Sequence, residues 1–458
     1  MEPRSLKFIA GACGGELRHG QPGMMVGRVC TDSRQVQPGD LFVALAGDTF
    51  DGHNFLAEAA QKKAGAVMVE RAKAPTPTGN CAVVAVEHTR RALGQMAARY
   101  RRDFTLPIIA VGGSNGKTTT KELIAAVLRE KFTTLWSEAS FNNDIGVPLT
   151  LLKLEKTHGA AVLEAGTNHP GELAPLARMI QPQFGVITSI GREHLEFFRD
   201  LDGVLREEGW LAELLPANGK LFVNGDVPGL DKIVSRTRAP VVKTGLGAGN
   251  DWRASDVRLD ADGTVFCVSA PRKDFDGEYR LQLLGRHQVT NALLALAAGE
   301  ELGLSCEQLQ RALAGCTPPK MRLQFFEMNG VRVLDDTYNA NADSMRAALR
   351  TLRDLPCAGR RVAVLGDMGE LGAHSRAAHE EVGHAAAEAG VDLLFAVGKW
   401  AGVVADCARA RGLRDVVEIP DAVSAGALVK GAVKAGDMVL LKASRAARLE
   451  QVVGALKK

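Results

Sequence analysis

One stretch constrains this chain more than any other: Val111-Gly112-Gly113-Ser114-Asn115-Gly116-Lys117-Thr118-Thr119-Thr120-Lys121-Glu122. The apolar run at 106–111 reads as a buried strand, and 121–128 reads as a helix. Strand, glycine loop, Lys-Thr and helix is the layout of a phosphate-binding loop. Glycine lets backbone N–H groups turn inward around an anion with no Cβ in the way. The helix start adds the positive end of its dipole. In that layout Lys117 reaches the terminal phosphates and Thr118 offers a hydroxyl to a magnesium ion. The strict pattern G-x-x-x-x-G-K-[ST] asks for glycine at 111, where this chain has Val111. The competing reading is a glycine-rich turn with a chance Lys-Thr, and the flanking strand and helix weigh against it.

At 458 residues the chain is too long for one ordinary core. Residues 1–104 mix short strands, at 41–45 and 66–69, with a helix at 55–63. The basic run Arg99-Tyr100-Arg101-Arg102-Asp103 reads as a solvated helix end, where cations suit the dipole. Residues 105–316 alternate strands and helices, as a mostly parallel α/β sheet does, with central strands at 160–164 and 184–188. A strong helix pattern runs over 288–302 and stops at Gly303. Pro318-Pro319 marks a boundary. Residues 317–458, with strands at 361–365, 393–397 and 438–441, read as a smaller doubly wound domain.

The net charge of +3 argues against a dedicated nucleic-acid binder. The 8 cysteines form no CxxC pair and read as reduced thiols. Residues 1–10 have no apolar core of signal-peptide length, and no apolar run is long enough to span a bilayer. The expectation is a soluble, cytoplasmic protein.

Glu164 ends an apolar strand, on the sheet edge where α/β proteins bind ligands. A carboxylate there holds Mg²⁺ beside a nucleotide or simply faces solvent. His194, in Gly191-Arg192-Glu193-His194, follows the next strand and is either structural or placed near the metal. Asp335-Asp336-Thr337-Tyr338-Asn339-Ala340-Asn341 follows a strand at 331–334 and suits either ribose and phosphate contacts or an Asx-type turn. Arg322 is a phosphate ligand or a surface charge.

Together these segments resemble the Mur ligase family, the ATP-dependent amide-bond ligases of peptidoglycan synthesis, over nearly the whole chain. Gly113-Ser114-Asn115-Gly116-Lys117-Thr118-Thr119 matches the family's ATP loop. Leu163-Glu164-Ala165-Gly166 matches its metal-glutamate segment, and Glu193-His194-Leu195-Glu196 its histidine segment. Asn291 is similar to an adenine-contacting asparagine, and Arg322 and Asp336 to third-domain nucleotide contacts. Thr31-Asp32-Ser33-Arg34 resembles the UDP-sugar domain, which implies Asp32, Ser33 and Arg34 as substrate-binding residues. With Asp336–Asn341 and Leu365-Gly366-Asp367-Met368-Gly369-Glu370-Leu371-Gly372, it points to the branch that adds D-alanyl-D-alanine to UDP-N-acetylmuramoyl-tripeptide.

The resemblance implies an α/β fold of three domains: a UDP-sugar domain (1–104), a central P-loop parallel-sheet ATPase domain (105–316) and a C-terminal Rossmann-like domain (317–458). It implies ATP and Mg²⁺, an acyl-phosphate intermediate, a monomer, and no nucleic acid or membrane insertion. Lys117, His194 and Glu208 are the implied catalytic residues, and Thr118, Glu164, His194 and Glu208 the metal ligands. Two departures stand out. Ala342 replaces a usual proline, and Glu208 stands where relatives usually carry a lysine carbamylated by CO₂. Glu208 either supplies that carboxylate directly or is a solvated helix residue. The alternatives are another Mur-type or folylpolyglutamate-type ligase, or a nucleotide-binding switch with no ligase chemistry.

Overall fold

The computed structural model describes residues 1–47, 50–75, 81–260 and 263–457. It is an α/β protein that divides by compactness into two units. The first comprises Met1–Ala110, Phe132–Thr167 and Leu173–Phe184, and the second Val111–Lys131, Asn168–Glu172 and Gly185–Lys458.

In the first unit a five-stranded sheet has the order Glu16–His19, Ala82–Val86, Ala66–Glu70, Leu41–Val43, Val29–Cys30. All its pairs are parallel except the first. The helix expected over 55–63 is a 3₁₀ turn, Gly52–Phe55, running into an α-helix, Leu56–Gln61. Strands Thr134–Trp136 and Ala160–Glu164 also belong to this unit and pair in parallel.

The second unit starts within the strand Ile108–Gly112, whose five residues are all buried. Outward from it the order is Phe184–Ile187, Lys220–Asn224, Val241–Gly245, Trp252–Asp260, Gly263–Ser269, Gly277–Leu281. The last three strands pair antiparallel, a ribbon added to the mostly parallel sheet expected over 105–316. The helix after the glycine loop, Lys117–Arg129, buries Leu123, Ile124, Val127 and Leu128. The helix Arg286–Glu301 packs close by at Gly299, where a Cβ would lie 2.5 Å from Val127.

The C-terminal sheet explains its own sequence. Its strand order is Gln324–Met328, Val331–Asp336, Met438–Lys442, Arg361–Gly366, Leu393–Val397, Asp415–Ile419, and all but the first pair are parallel. Side chains alternate between two faces of a strand. Val362, Val364, Phe395, Val439 and Leu441 enter one core, while Ala363, Leu365, Leu394, Ala396 and Leu440 enter the other. Both faces are covered, so the strands carry apolar runs rather than alternation. The last strand inserts between the second and the third, which opens a switch point at the carboxyl ends of Val331–Asp336 and Arg361–Gly366. Register places Asp336 opposite Lys442 there.

His287 lies near that edge in an environment hostile to charge. Burial, then Lys442 and Arg350, push its pKa down to about 4. Above the unfolded value of about 6.5 neither state is protonated and the residue has no effect. As pH falls from about 6.5 to 4 the unfolded chain takes up a proton that the native state refuses. Wild type should therefore lose up to about 3 kcal/mol relative to His287→Gln across that window. Urea midpoints at pH 7, 5.5 and 4.5 check this, and a constant difference between the two proteins would contradict it.

Candidate active site

The glycine loop is shaped by two residues in the left-handed half of backbone space, Gly113 at φ +111° and Gly116 at φ +89°. Neither position has room for a side chain. A Cβ on Gly113 would lie 2.5 Å from Thr188 Oγ1, and one on Gly116 would lie 2.6 Å from Asn291 Oδ1. Asn291, placed by Arg286–Glu301, thus lies against the loop, and its amide donates to Gln288 at 2.9 Å. Ser114 N–H donates to Ser189 O at 2.8 Å, and Asn115 N–H to Ser189 Oγ at 2.8 Å. Ser114 Oγ accepts from Gly191 N–H at 2.9 Å. The segment 188–191 therefore braces the loop from behind. Gly116 caps Lys117–Arg129 with no side-chain bond to its first amides, and Thr118 and Thr119 are buried in the first turn. Uncapped amides at a helix start are anion donors.

Buried charge surrounds Lys117. Its ammonium donates to Gly113 O and, at 3.3 Å, to Glu193 Oε2. Glu208 comes in from the helix Leu201–Glu213 with no exposed surface, and its Oε2 accepts the Gly113 N–H at 2.7 Å. Burial first, then the charge of Glu193, push the Glu208 carboxyl up to about 8, while Lys117 and the Gly113 bond oppose the shift. Glu193 Oε1 and Glu208 Oε1 are buried and lack a hydrogen-bond partner. Glu193 escaped sequence reasoning, which passed over it for the neighbouring His194. Its partner Lys117 is 76 residues away, and no local pattern connects them.

His194, at φ +46°, starts the short helix Leu195–Phe198. Its Nδ1 pairs with Glu370, which holds that carboxyl below the usual range, and its Nε2 lies 4.0 Å from Glu193. Arg322 stacks over Tyr338, 4.2 Å from the ring centroid, and donates to Thr118 Oγ1 at 3.0 Å. Asn341 Nδ2 donates to Asn115 Oδ1 at 3.0 Å. Asp336 Oδ2 pairs with Lys442 Nζ at 2.5 Å and its Oδ1 accepts Leu323 N–H at 3.2 Å. The second unit thus gathers Arg322 and Asn341, both from beyond residue 317, onto the glycine loop, while Asp336 stands beside Lys442.

The remaining candidates belong to the first unit. Glu164 is 1% exposed at the end of its strand. Its Oε1 accepts from Asn142 at 2.8 Å, and its Oε2 is buried without a hydrogen-bond partner. Asp32 caps the 3₁₀ turn Ser33–Gln35. Bonds from the Arg34 side chain and N–H hold its carboxyl well below the usual range. Ser33 Oγ donates to Glu58 at 2.8 Å, and Lys62 reaches the carbonyls of Ser33 and Arg34. A cavity of about 710 Å³ in this unit is lined by Arg90, Arg91, Arg102 and Arg178 among others.

Apart from the His194 imidazole, the candidate donors are hard oxygens, the kind Mg²⁺ takes. Among the described residues, one carboxylate oxygen of Glu164 in the first unit, and one each of Glu193 and Glu208 in the second, is buried without a hydrogen bond, a state that a cation arriving at either place would relieve. Among the described residues no three His, Cys, Asp or Glu side chains already converge on one metal position.

Three family models match the chain: "Mur ligase family, catalytic domain" over residues 26–101, "Mur ligase middle domain" over 111–299 and "Mur ligase, glutamate ligase domain" over 321–445. The chain is similar to the UDP-N-acetylmuramoyl-tripeptide--D-alanyl-D-alanine ligase of Bacillus subtilis, 34% identical over 99% of this chain and 98% of that one. Among solved structures it is similar to MurF from Acinetobacter baumannii, with a TM-score of 0.90 and 32% identity over 100% of both chains. The MurF ligase of Thermotoga maritima in complex with ADP superposes with a TM-score of 0.82, at 28% identity, covering 94% of this chain and 97% of that one.

Proposed function

This chain belongs to the Mur ligase family, and from that premise we propose that it joins D-alanyl-D-alanine to UDP-N-acetylmuramoyl-tripeptide at the expense of ATP, in peptidoglycan synthesis. The observation that carries the reading is the glycine loop whose lysine is backed by two buried carboxylates with unpartnered oxygens. A protein that only binds nucleotide has no use for buried acids poised to meet a cation beside the phosphate-binding lysine.

In this reading the terminal carboxylate of the tripeptide attacks the γ-phosphorus of ATP, the bond to ADP breaks, and an acyl phosphate forms. The amine of D-alanyl-D-alanine then attacks the acyl carbon, loses a proton, and inorganic phosphate leaves. The first step brings two anions together, so charge must be neutralised at the γ-phosphate. Lys117 does so by swinging from Gly113 O toward the phosphates, while the N–H groups at the start of the helix Lys117–Arg129 hold the β-phosphate. Arg322 and Asp336 reach the nucleotide from the C-terminal domain, and Asn291 meets the adenine. Mg²⁺, when bound, would on the family resemblance be held by Thr118, Glu164, His194 and Glu208, with Glu193 available beside Lys117 and His194, and would supply further positive charge to the phosphates. Asp32, Ser33 and Arg34 bind the sugar nucleotide. In the cavity of the first unit Arg90 is held by Asp144, and Arg91, Arg102 and Arg178 are the further cations there for a diphosphate.

The same reading divides the chain into domains at 104/105 and 316/317 and makes it a cytoplasmic monomer. Among the described residues no helix is long and apolar enough to cross a membrane.

Phosphate release is the test. It should require UDP-N-acetylmuramoyl-tripeptide and Mg²⁺, and amide should form only when D-alanyl-D-alanine is present. Turnover with a single amino acid in its place would instead indicate another Mur-type or folylpolyglutamate-type ligase. Phosphate release indifferent to both substrates would indicate a nucleotide switch.

A further inference from the structure

Arg192 sits between the bracing residue Gly191 and Glu193, and the nucleotide chemistry above makes no use of it. Its guanidinium reaches two carboxylates on two different helices. Nη2 donates to Asp343 Oδ1 at 2.7 Å and to Glu381 Oε1 at 2.9 Å, and Nη1 donates to Glu381 Oε2 at 2.7 Å. The Arg192 backbone N–H donates to Asp343 Oδ2 at 2.9 Å. Asp343 lies in the first turn of the helix Ala342–Asp354, and Glu381 lies on Ser375–Glu388. Gly191 permits the approach, because a Cβ there would lie 2.9 Å from Asp343 Oδ2. Arg346 adds a second cation to Glu381 at 2.9 Å.

Isolated ion pairs at a surface contribute little. This one differs in kind: a planar fork spans two acids, one of them also bound by backbone, and all three side chains are only about a third exposed. Its neighbours act in the same direction. Asn341, the cap of the helix that carries Asp343, bonds Asn115 in the glycine loop, and His194 pairs with Glu370. Glu196 N–H donates to Glu370 O at 3.2 Å. The segment 191–196 is thus gripped by the C-terminal sheet domain at several points, and Arg192 makes the largest of these contacts.

We propose that Arg192 is a positioning residue that clasps Asp343 and Glu381 to keep the C-terminal domain closed over the glycine loop, so that the acyl phosphate meets the amine and not water. The chemical half of this inference rests on the ligase reading. An acyl phosphate reached by water yields free carboxylate and phosphate, and ATP is spent with no amide made. A looser clasp lowers the closed population and exposes the intermediate.

The test compares wild type with Arg192→Ala and Arg192→Lys, measuring amide formed per phosphate released and, separately, the radius of gyration by X-ray scattering with ADP and Mg²⁺. Wild type should make close to one amide per phosphate. Arg192→Ala should lower that ratio several-fold and kcat by about tenfold, with a larger radius and a retained circular dichroism spectrum. Arg192→Lys keeps the charge but loses the fork and should recover only part of the ratio. If Arg192→Ala does not fold, Glu381→Gln, which leaves Arg192 on Asp343, should shift both readouts in the same direction by less. A folded Arg192→Ala that keeps both the wild-type ratio and the wild-type radius would overturn the proposal. The scattering comparison needs no turnover, so it separates failure of the clasp from failure of the ligase reading.

Discussion

Replacing Lys117 by methionine should lower kcat by about 10³-fold while changing ADP affinity far less. Methionine keeps most of the side chain's volume and removes only the charge. The loop's geometry is set by the positive φ of Gly113 and Gly116 and by the bonds of Ser114 and Asn115 to Ser189 and Gly191, none of which needs the ammonium. The N–H groups that receive the β-phosphate of ADP therefore stay in place. The loss falls on the step in which a carboxylate must approach the γ-phosphate. It is enlarged by the two acids behind the loop, because Glu193 loses its 3.3 Å partner and Glu208 loses an opposing positive charge. Glu208, already raised by burial, is then harder still to ionise. Steady-state phosphate release, with calorimetry of ADP binding on the same preparations, measures the split. A loss confined to tenfold, or ADP affinity falling in step with kcat, would remove Lys117 from the role of phosphate lysine.

How much of this site is legible in sequence depends on how local its causes are. The glycine loop is contiguous, and its requirements of positive φ, close backbone approach and a following helix are written in residues 112–118. The C-terminal strands are legible for the same reason, since burial on both faces leaves uninterrupted apolar runs such as Val362–Leu365. What joins distant segments is not legible. Arg322 meets Thr118 across 204 residues, and Lys442 meets Asp336 across 106. That second pairing exists only because the last strand inserts out of order beside Val331–Asp336. The adjacent aspartates show how two readings of one motif divide. Asp335 makes the expected local turn, accepting from the N–H and hydroxyl of Thr337, while Asp336 faces the strand-end lysine. The antiparallel ribbon from Trp252 to Leu281 was missed because its first strand alternates buried and exposed positions only near its start, before a bulge at residues 255–258.

Turnover of the wild-type enzyme should not respond to bicarbonate, and Glu208 is the reason. The family resemblance implies that a lysine usually stands at this place, carbamylated into a carboxylate that depends on dissolved CO₂. We propose that Glu208 supplies that carboxylate directly, on a shorter arm and with no CO₂. The carboxyl is fixed by the Gly113 N–H at 2.7 Å, directly beneath the residue whose carbonyl receives Lys117. Its second oxygen is buried and unbonded, a state that costs free energy until something positive meets it. Burial beside Glu193 raises this carboxyl in the ligand-free protein. The magnesium-loaded nucleotide brings the positive charge that draws it back to the ionised form. Glu208→Gln keeps the shape and removes the charge, and should lower kcat by about 10²-fold, the upper range for losing a group that supports a metal site. Glu208→Lys should be equally poor in CO₂-free buffer and regain activity as bicarbonate is added, because carbamylation rebuilds the missing carboxylate. Phosphate release across a bicarbonate series, in wild type, Glu208→Gln, Glu208→Lys and Glu208→Ala side by side, decides the matter. Stimulation of the wild type by bicarbonate, or full activity in Glu208→Ala, would show that the carboxylate at 208 is not what the site uses.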